Sequence, residues 1–489
     1  MRLSSLTEGA ADALRSAGAF LSAMRTPIVR LGVTGLARSG KTVFITALVR
    51  SLIAGGRLPF FAALAEGRIT RAYLEPQPDD TLPRFAYEEH LCALAADPPQ
   101  WPESTRRLSQ LRLTIEYASA GGLRRRLGPG KIHVDIVDYP GEWLIDLPLL
   151  GQTFADWSRQ AVAEARQRDF VGPAAAWLSF MAGLDPSAPA NEQHALTGAD
   201  LFTRYLTARH AEDAFRFASG PGRFRMPGDL EGSPLLTFFP LPSAGDDVHP
   251  RASLGAMLAR RFESYKSRVV APFFRDHFAR LDRQIVLIDA LAAINAGGDA
   301  LQSLQQTMQA ILLCFRPGAN TWLSSILARR VDRLLFAATK ADHLHHVNHD
   351  RLEGILRVLA ERAIGRAATA GAEVKVIALA ALRATREAEL RRGRERLPCI
   401  VGVPLPGERV GRKVFDGRAE AAVFPGDLPV DPQRLIALSA PQSEGSEEMR
   451  FVAFRPPRIA LDAPSGAAPP LPHVRLDRAL EFLLGDRLA

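Results

Sequence analysis

The sequence predicts an α/β fold with a mostly parallel sheet, a large helical insertion and a small C-terminal β-rich appendage. Three observations predict it. Short apolar runs at 30–34, 132–137, 284–289, 331–338 and 373–379 read as buried strands, and amphipathic helices alternate with them. The interval 144–283 carries helical periodicity with no strand pattern. From Cys399 to Pro425, brief apolar runs alternate with Gly and Pro turns.

The first strand, Arg30 to Thr34, runs into Gly35-Leu-Ala-Arg-Ser-Gly-Lys-Thr42, and a helix follows from Val43. Gly35 and Gly40 free the backbone for a tight turn. The N–H groups of Ala37, Arg38, Ser39, Gly40, Lys41, Thr42 and Val43, with the helix N-terminus, then face an anion. Lys41 would reach the β- and γ-phosphates, and the Thr42 hydroxyl would ligand Mg²⁺. This is the phosphate-binding loop of the P-loop NTPase fold. It predicts nucleoside triphosphate binding without reading the base, so ATP remains an alternative at this point.

Next, 55–110 is broken by Pro76, Pro78, Pro83, Pro98, Pro99 and Pro102, with helical patches around Pro83 to Ala96. Leu111 to Tyr117 and Lys131 to Asp138 predict a hairpin, and Arg124-Arg-Arg126 forms its tip. That triplet is either a solvated turn or a docking patch for an acidic surface. Asp138-Tyr-Pro-Gly141 leaves the second of these strands at the carboxyl edge. There Asp138 can position Mg²⁺, and the Gly141 N–H can approach a γ-phosphate. Thr105, or Ser104 beside it, precedes Leu111 where a hydroxyl could join the metal; an ordinary helix cap is the other reading. Glu142 either polarises water or is an acid at a helix start.

Helices are expected over 154–168, 199–217 and 254–281, with a Pro/Gly-rich loop over 220–250. After the strand ending near Ala338 comes Thr339-Lys-Ala-Asp342. Asp342 can accept the N1–H and N2–H₂ donors of guanine, a donor pair that adenine lacks. The Lys340 stem can cover the base and reach the P-loop. Ala380 and Ala381 follow the last strand, where a backbone N–H could meet guanine O6. His343, His345, His346 and His349 cluster beyond the base motif, and their spacing permits a metal but favours a surface helix start. The Arg/Glu-rich stretch 383–396 reads as a helix or linker, and 475–484 as a closing helix.

These boundaries divide the chain into a discontinuous nucleotide domain (1–143 and 284–398) and an inserted helical region (144–283). A β-rich appendage (399–462) and a C-terminal linker and helix (463–489) complete it. Of 61 basic residues only six are lysine, and the net charge of +8 is mild for 489 residues. The basic residues are dispersed and not interleaved with aromatics, which disfavours nucleic-acid binding. Three scattered cysteines, Cys92, Cys314 and Cys399, suit a reducing compartment. No apolar run approaches transmembrane length. Met1 to Met24 could form a small amphipathic helix, packed on the domain or lying on a membrane surface.

The order strand–P-loop, strand–DxxG, strand–TKxD resembles the GTPase branch of P-loop proteins. In detail, Gly35 to Leu48, Trp101-Pro-Glu-Ser-Thr-Arg106, Asp138-Tyr-Pro-Gly-Glu-Trp143 and Pro472 to Leu488 resemble the bacterial YcjX family across essentially the whole chain. The resemblance implies a cytoplasmic, stress-inducible GTPase using GTP/GDP and Mg²⁺, encoded beside an inner-membrane YcjF-like protein that becomes a candidate partner. Two departures from small GTPases stand out: the long interval after Gly141, and Glu142 where many carry glutamine. The P-loop also resembles locally that of the atlastin and guanylate-binding protein families, in which an arginine at the position of Arg38 serves as an internal finger. Such a role would make Arg38 catalytic alongside Lys41, with a homodimer across the nucleotide faces as one way to set it. An exposed loop side chain is the other reading.

Overall fold

The computed structural model describes residues 26–36, 38–103, 105, 107–120, 130–166, 173–212, 221–242, 250–313, 331–392, 395–437, 449–461 and 469–489. The N-terminal helix expected over 1–24, the Arg124–Arg126 tip, Ala37 and Ser104 lie outside them.

A seven-stranded sheet forms the centre, built from β1 (Ile28–Gly35), β2 (Ile69–Glu75), β3 (Ser109–Tyr117), β4 (Gly130–Asp138), β5 (Arg283–Ile288), β6 (Arg333–Ala338) and β7 (Glu373–Ala378). Their order is β2-β3-β4-β1-β5-β6-β7. The strands from β4 to β7 in that order run parallel, and β3 pairs antiparallel with both β4 and β2.

Both faces are covered, as a parallel sheet requires. Successive strand residues point to opposite faces, so β5 and β6 supply two cores at once. Ile285, Leu287, Leu335 and Ala337 join one core. Val286, Ile288, Leu334, Phe336 and Ala338 join the other. The first is closed by α1 (Lys41–Ile53) through Phe44, Ile45, Leu48 and Leu52. The second is closed by α2 (His349–Thr369) through Leu352, Ile355, Leu356 and Leu359. The inserted helices share this second core: Trp157, Phe202, Phe238 and Phe262 belong to the same cluster as Phe336. At its heart Trp157 stacks on Phe262, with centroids 5.0 Å apart and planes at 17°.

The chain ends by returning to the first core. Leu476, Ala479, Leu480, Leu483 and Leu484 of α3 (Leu476–Leu484) follow three-and-four spacing and are all buried there. The end is also tied down by polar contacts. The buried Arg283 donates to Asp332 Oδ2 and Asp486 Oδ2 at 2.7 Å each, and Tyr117 OH donates to the Arg487 carbonyl at 3.0 Å.

Three elements differ from expectation. β2 lies inside the Pro-broken stretch, where its mixed residues, half-exposed at the sheet edge, hide the alternation. The Arg/Glu-rich stretch is a hairpin rather than a helix or linker: β8 (Arg386–Arg392) pairs antiparallel with β9 (Glu395–Gly402), which crosses 398. Its Arg/Glu spacing suits a helix, but the apolar half of β9 needs a strand beside it. The stretch 254–281 is broken too, with helices Leu254–Tyr265 and Ala271–Asp276 joined by a π turn over Lys266–Val270. Pro272, which lacks an N–H, stands in the first turn of the second helix. The small appendage has strands, as expected: Ala421–Val423 extends β9 and β8, and Arg409–Val410 pairs with Lys413–Val414.

If α3 is part of the sheet's core rather than a tail, Leu480→Ala should destabilise the protein by about 2–5 kcal/mol, the usual cost of such a cavity. The thermal unfolding midpoint measures this. A midpoint unchanged from wild type would show that the helix contributes nothing to the core.

Candidate functional site

Parallel register brings the carboxyl ends of β1, β4, β5, β6 and β7 to one edge. Val33 aligns with Asp138, Gly35 with Leu287, Ile288 with Ala338, and Ala338 with Ala378. The loop after β1, the Asp138–Gly141 segment after β4 and the Thr339–Asp342 segment after β6 all leave this edge.

After β1 the chain turns sharply. A Cβ at Gly35 would sit 2.3 Å from Ser39 Oγ and 2.6 Å from the Leu287 carbonyl, so only glycine fits. Ser39 N–H closes the turn on the Leu36 carbonyl at 3.2 Å. Gly40 has φ +89°, a left-handed conformation that glycine takes without strain. Arg38 also has positive φ, 62°, and its side chain is exposed. Lys41 is buried, and its Nζ donates to the Gly35 carbonyl at 2.8 Å. Val43 continues the helix whose first backbone bond runs from Phe44 N–H to the Gly40 carbonyl at 2.9 Å.

Below the lysine lie three oxygen-bearing side chains. Thr42 Oγ1 stands 3.4 Å from Thr105 Oγ1, and Thr105 donates to Asp138 Oδ2 at 2.8 Å. Asp138 is 2% exposed and its Oδ1 is buried without a partner. Burial pushes its pKa up to about 6, against the opposing pull of Lys41 and the Thr105 hydrogen bond. An ionised buried carboxylate with an unused oxygen, next to two hydroxyls, is a hard-oxygen donor set of the kind that suits Mg²⁺. Underneath, Gln284 Nε2 donates to Thr34 Oγ1 at 2.7 Å, and Thr34 and Tyr139 hydroxyls meet in a short hydrogen bond.

Gly141 touches the loop directly: a Cβ there would lie 2.1 Å from the Gly35 carbonyl. The following segment, Gly141–Gly151, is a run of 3₁₀ turns gripped by the inserted region. Gly222 N–H donates to Asp146 Oδ1 and Tyr265 OH to Asp146 Oδ2, each at 2.6 Å. Burial pushes the Asp146 pKa up to about 7 despite these bonds. The Arg223 guanidinium carbon lies over the Trp143 ring, 3.2 Å from its centroid. The buried Glu142 has Oε1 3.9 Å from the largely buried Arg225. Sequence reasoning passed over Asp146, Arg223 and Arg225, because some eighty residues separate the two halves of this clamp and no motif marks either.

At the other end of the edge, Thr339 N–H donates to the Ile288 carbonyl at 2.9 Å. Lys340 has φ 58°. Its Nζ pairs closely with the carboxylate of Asp289, which also caps the helix Ala290–Ala296 through Ala292 N–H at 3.0 Å. The Lys340 ammonium thus meets Asp289 rather than the P-loop, because this acid follows β5, the strand between β1 and β6. Asp342 is buried; Ala384 N–H donates to its Oδ2 at 2.7 Å, and the Thr385 hydroxyl to its carbonyl. The Ala380 N–H is not available for a base: it donates to the Val474 carbonyl at 3.1 Å, and Val474 N–H returns a bond at 2.8 Å. The segment leading into α3 pairs with the loop there, a long-range contact that local sequence does not reveal. Ala381, half-buried, is the next residue along. Two strand spacings separate β1 from β6, about 10 Å, the span between the phosphates and base of a nucleotide.

Among the described residues no helix is long and apolar enough to cross a membrane. The sequence profile described as "YcjX-like family, DUF463" matches residues 29–488. The Ras-like GTPase YcjX of Escherichia coli (strain K12) is 38% identical over 475 residues, covering 94% of this chain and 96% of that protein. The Ras-like GTPase YcjX of Shewanella oneidensis is 32% identical over 485 residues, covering 94% of each. With the loop, the aspartate-bearing strand ends and the full-length match in agreement, the chain belongs to the YcjX-like family.

Proposed function

We propose that this protein binds guanine nucleotide with Mg²⁺ and hydrolyses GTP, using the exchange as a conformational switch. The observation that carries this reading is the oxygen cluster of Thr42, Thr105 and Asp138 under Lys41, with Asp138 Oδ1 buried and unpartnered. Those three residues would hold the cation, which supplies charge compensation to the phosphates. The relatives' printed names, Ras-like GTPase, support the same reading.

The chain's own residues divide the work. Lys41 is held on the Gly35 carbonyl, and an ammonium has three donors, so it can grip phosphate oxygens without leaving that anchor. Asp342 accepts one backbone N–H on Oδ2, which leaves its remaining lone pairs for the guanine N1–H and N2–H₂. Gly141 lies against the loop and continues into the segment clamped by Asp146, Arg223 and Arg225. A γ-phosphate drawing in the Gly141 N–H would therefore strain that clamp and move the inserted helices. Recruitment to a membrane would run through a membrane-resident partner such as a YcjF-like protein. A slow-turnover scaffold has its own support: the Glu142 carboxylate faces Arg225, and until that pair opens it is not free to polarise water.

Phosphate release over multiple turnovers tests the reaction. Wild type should turn over GTP and Lys41→Ala should not; equal rates would assign the activity to a contaminant. In the same assay Arg38→Ala should lower kcat by about 10³-fold if the exposed arginine swings in as an internal finger, while GDP affinity holds. Turnover per molecule should then rise with protein concentration if a dimer sets the arginine. Parallel losses of GDP binding and kcat would make Arg38 a ground-state phosphate ligand.

Base choice should rest on Asp342. Asp342→Asn should weaken GTP binding and improve binding of xanthosine nucleotide, whose 2-oxo group accepts from an amide. Competition with fluorescent GDP reads both, and ATP competing as well as GTP against wild type would overturn the guanine reading.

Asp138 sets a pH dependence. Its carboxyl, raised to about 6, is ionised above that value and protonated below it. Cation-dependent nucleotide affinity should therefore be full near pH 7.5 and fall by about tenfold per unit once pH drops below 6. Titrations with and without Mg²⁺ across pH 5–8 check the sign. An Mg²⁺-dependent increment that is flat across that window would remove Asp138 from the cation site.

A further inference from the structure

Beyond the base motif, four histidines fall within seven residues, and the structure separates them into two kinds. His343 is buried edge-on against the Phe454 ring, with centroids 5.2 Å apart. His349 Nε2 is hydrogen-bonded to the Ala341 carbonyl at 2.9 Å and opens α2 as a buried residue rather than a surface one. Packing accounts for both.

His345 and His346 behave differently. Both imidazoles turn toward one carboxylate, that of Glu387 on β8. His346 Nδ1 lies 2.7 Å from Glu387 Oε2, and His345 Nε2 lies 3.8 Å from the same oxygen, outside hydrogen-bonding range. His345 is 12% exposed in its side chain, and its Nδ1 is buried with no partner. Neither ring nitrogen of His345 therefore has a hydrogen bond, although leaving such a buried group unpaired is costly. The two rings sit 4.4 Å apart. One ligand atom from each of the three residues can be chosen so that all lie within 4.8 Å of one another. Glu387 Oε1 also faces Arg383, 3.5 Å away, and accepts the His346 N–H at 3.2 Å, which orients the carboxylate.

We propose that His345, His346 and Glu387 form a binding site for a borderline transition-metal cation, Zn²⁺ foremost, separate from the nucleotide cluster. Two imidazole nitrogens and a carboxylate oxygen are the donors Zn²⁺ accepts, whereas Mg²⁺ and Ca²⁺ want oxygen alone. A small rearrangement, drawing His345 in and parting the His346 Nδ1–Glu387 Oε2 pair from 2.7 Å, lets the three donors reach the ~2.0–2.2 Å bond lengths of zinc, with water in the fourth position. The position gives the site a consequence. His345 is three residues from Asp342, and Glu387 is on β8, the first strand of the hairpin. A bound cation would cross-link the base-motif segment to β8 and hold Asp342 and its Ala384 partner in place.

The test uses full-length, tag-free protein treated with chelator and dialysed. Isothermal titration with Zn²⁺ should show one site per chain, and Co²⁺ in its place should give the visible d–d bands of a tetrahedral nitrogen/oxygen site. Glu387→Gln and His345→Ala should each weaken the site about 10- to 100-fold and remove the Co²⁺ bands. Thermal unfolding without metal identifies any variant that fails to fold; His346→Ala, at an exposed position, is the substitute. Absence of saturable Zn²⁺ binding to wild type would overturn the proposal. So would Zn²⁺ binding that all three variants retain at full affinity, since the ions would then sit elsewhere.

Discussion

The close approach of Gly141 to the Gly35 carbonyl is the contact on which the site's organisation depends. With no room for a Cβ at either glycine, the end of β4 is seated against the turn after β1. Parallel pairing of these two strands makes the contact possible, since it delivers both carboxyl ends to the same edge. Asp138 is then buried beneath Lys41, where its charge is felt and its spare oxygen has nothing but the site to serve. Moving either strand by one residue would turn Asp138 to the opposite face and dissolve the cluster.

The inserted region is integral to this edge. Its aromatic cluster is continuous with the core on one face of the sheet, so burial of Trp157 and Phe262 is coupled to that of Phe336. Through Gly222, Arg223 and Tyr265 it takes hold of the segment that begins at Gly141. The Asp146 carboxylate is the centre of that grip. It is buried, two donors satisfy it, and Arg223 lies nearby; removing a donor would leave a buried acid poorly compensated. A buried carboxylate paired on both oxygens in this way holds the segment after Gly141 firmly against the inserted helices.

At the β6 and β7 end of the sheet edge, the loop before β8 and the C-terminal segment both reach back to it. Ala384 N–H and the Thr385 hydroxyl fix Asp342, Val474 closes the loop at Ala380, and Asp289 holds Lys340. These partners come from three different parts of the chain. The geometry of this end is therefore a product of the whole fold, and the hairpin β8–β9 that leads away from it carries Glu387 back to the histidines.

The sequence by itself determined the elements whose cause is local. Strand–loop–helix spacing around Gly35 to Thr42, the continuous apolar runs of β5 and β6, and the three-and-four pattern of α3 all follow from backbone sterics and periodicity within a dozen residues. They were legible without coordinates, as were Asp138, Gly141, Thr339 and Asp342 at strand ends. Only the tertiary structure decided which distant group meets which. It joined Asp146 to Gly222, sent Lys340 to Asp289, gave Ala380 to Val474 and made a hairpin of an Arg/Glu-rich stretch with helical spacing. Hydrogen bonds and ion pairs are short-ranged in space but indifferent to separation along the chain, so local pattern carries no record of them.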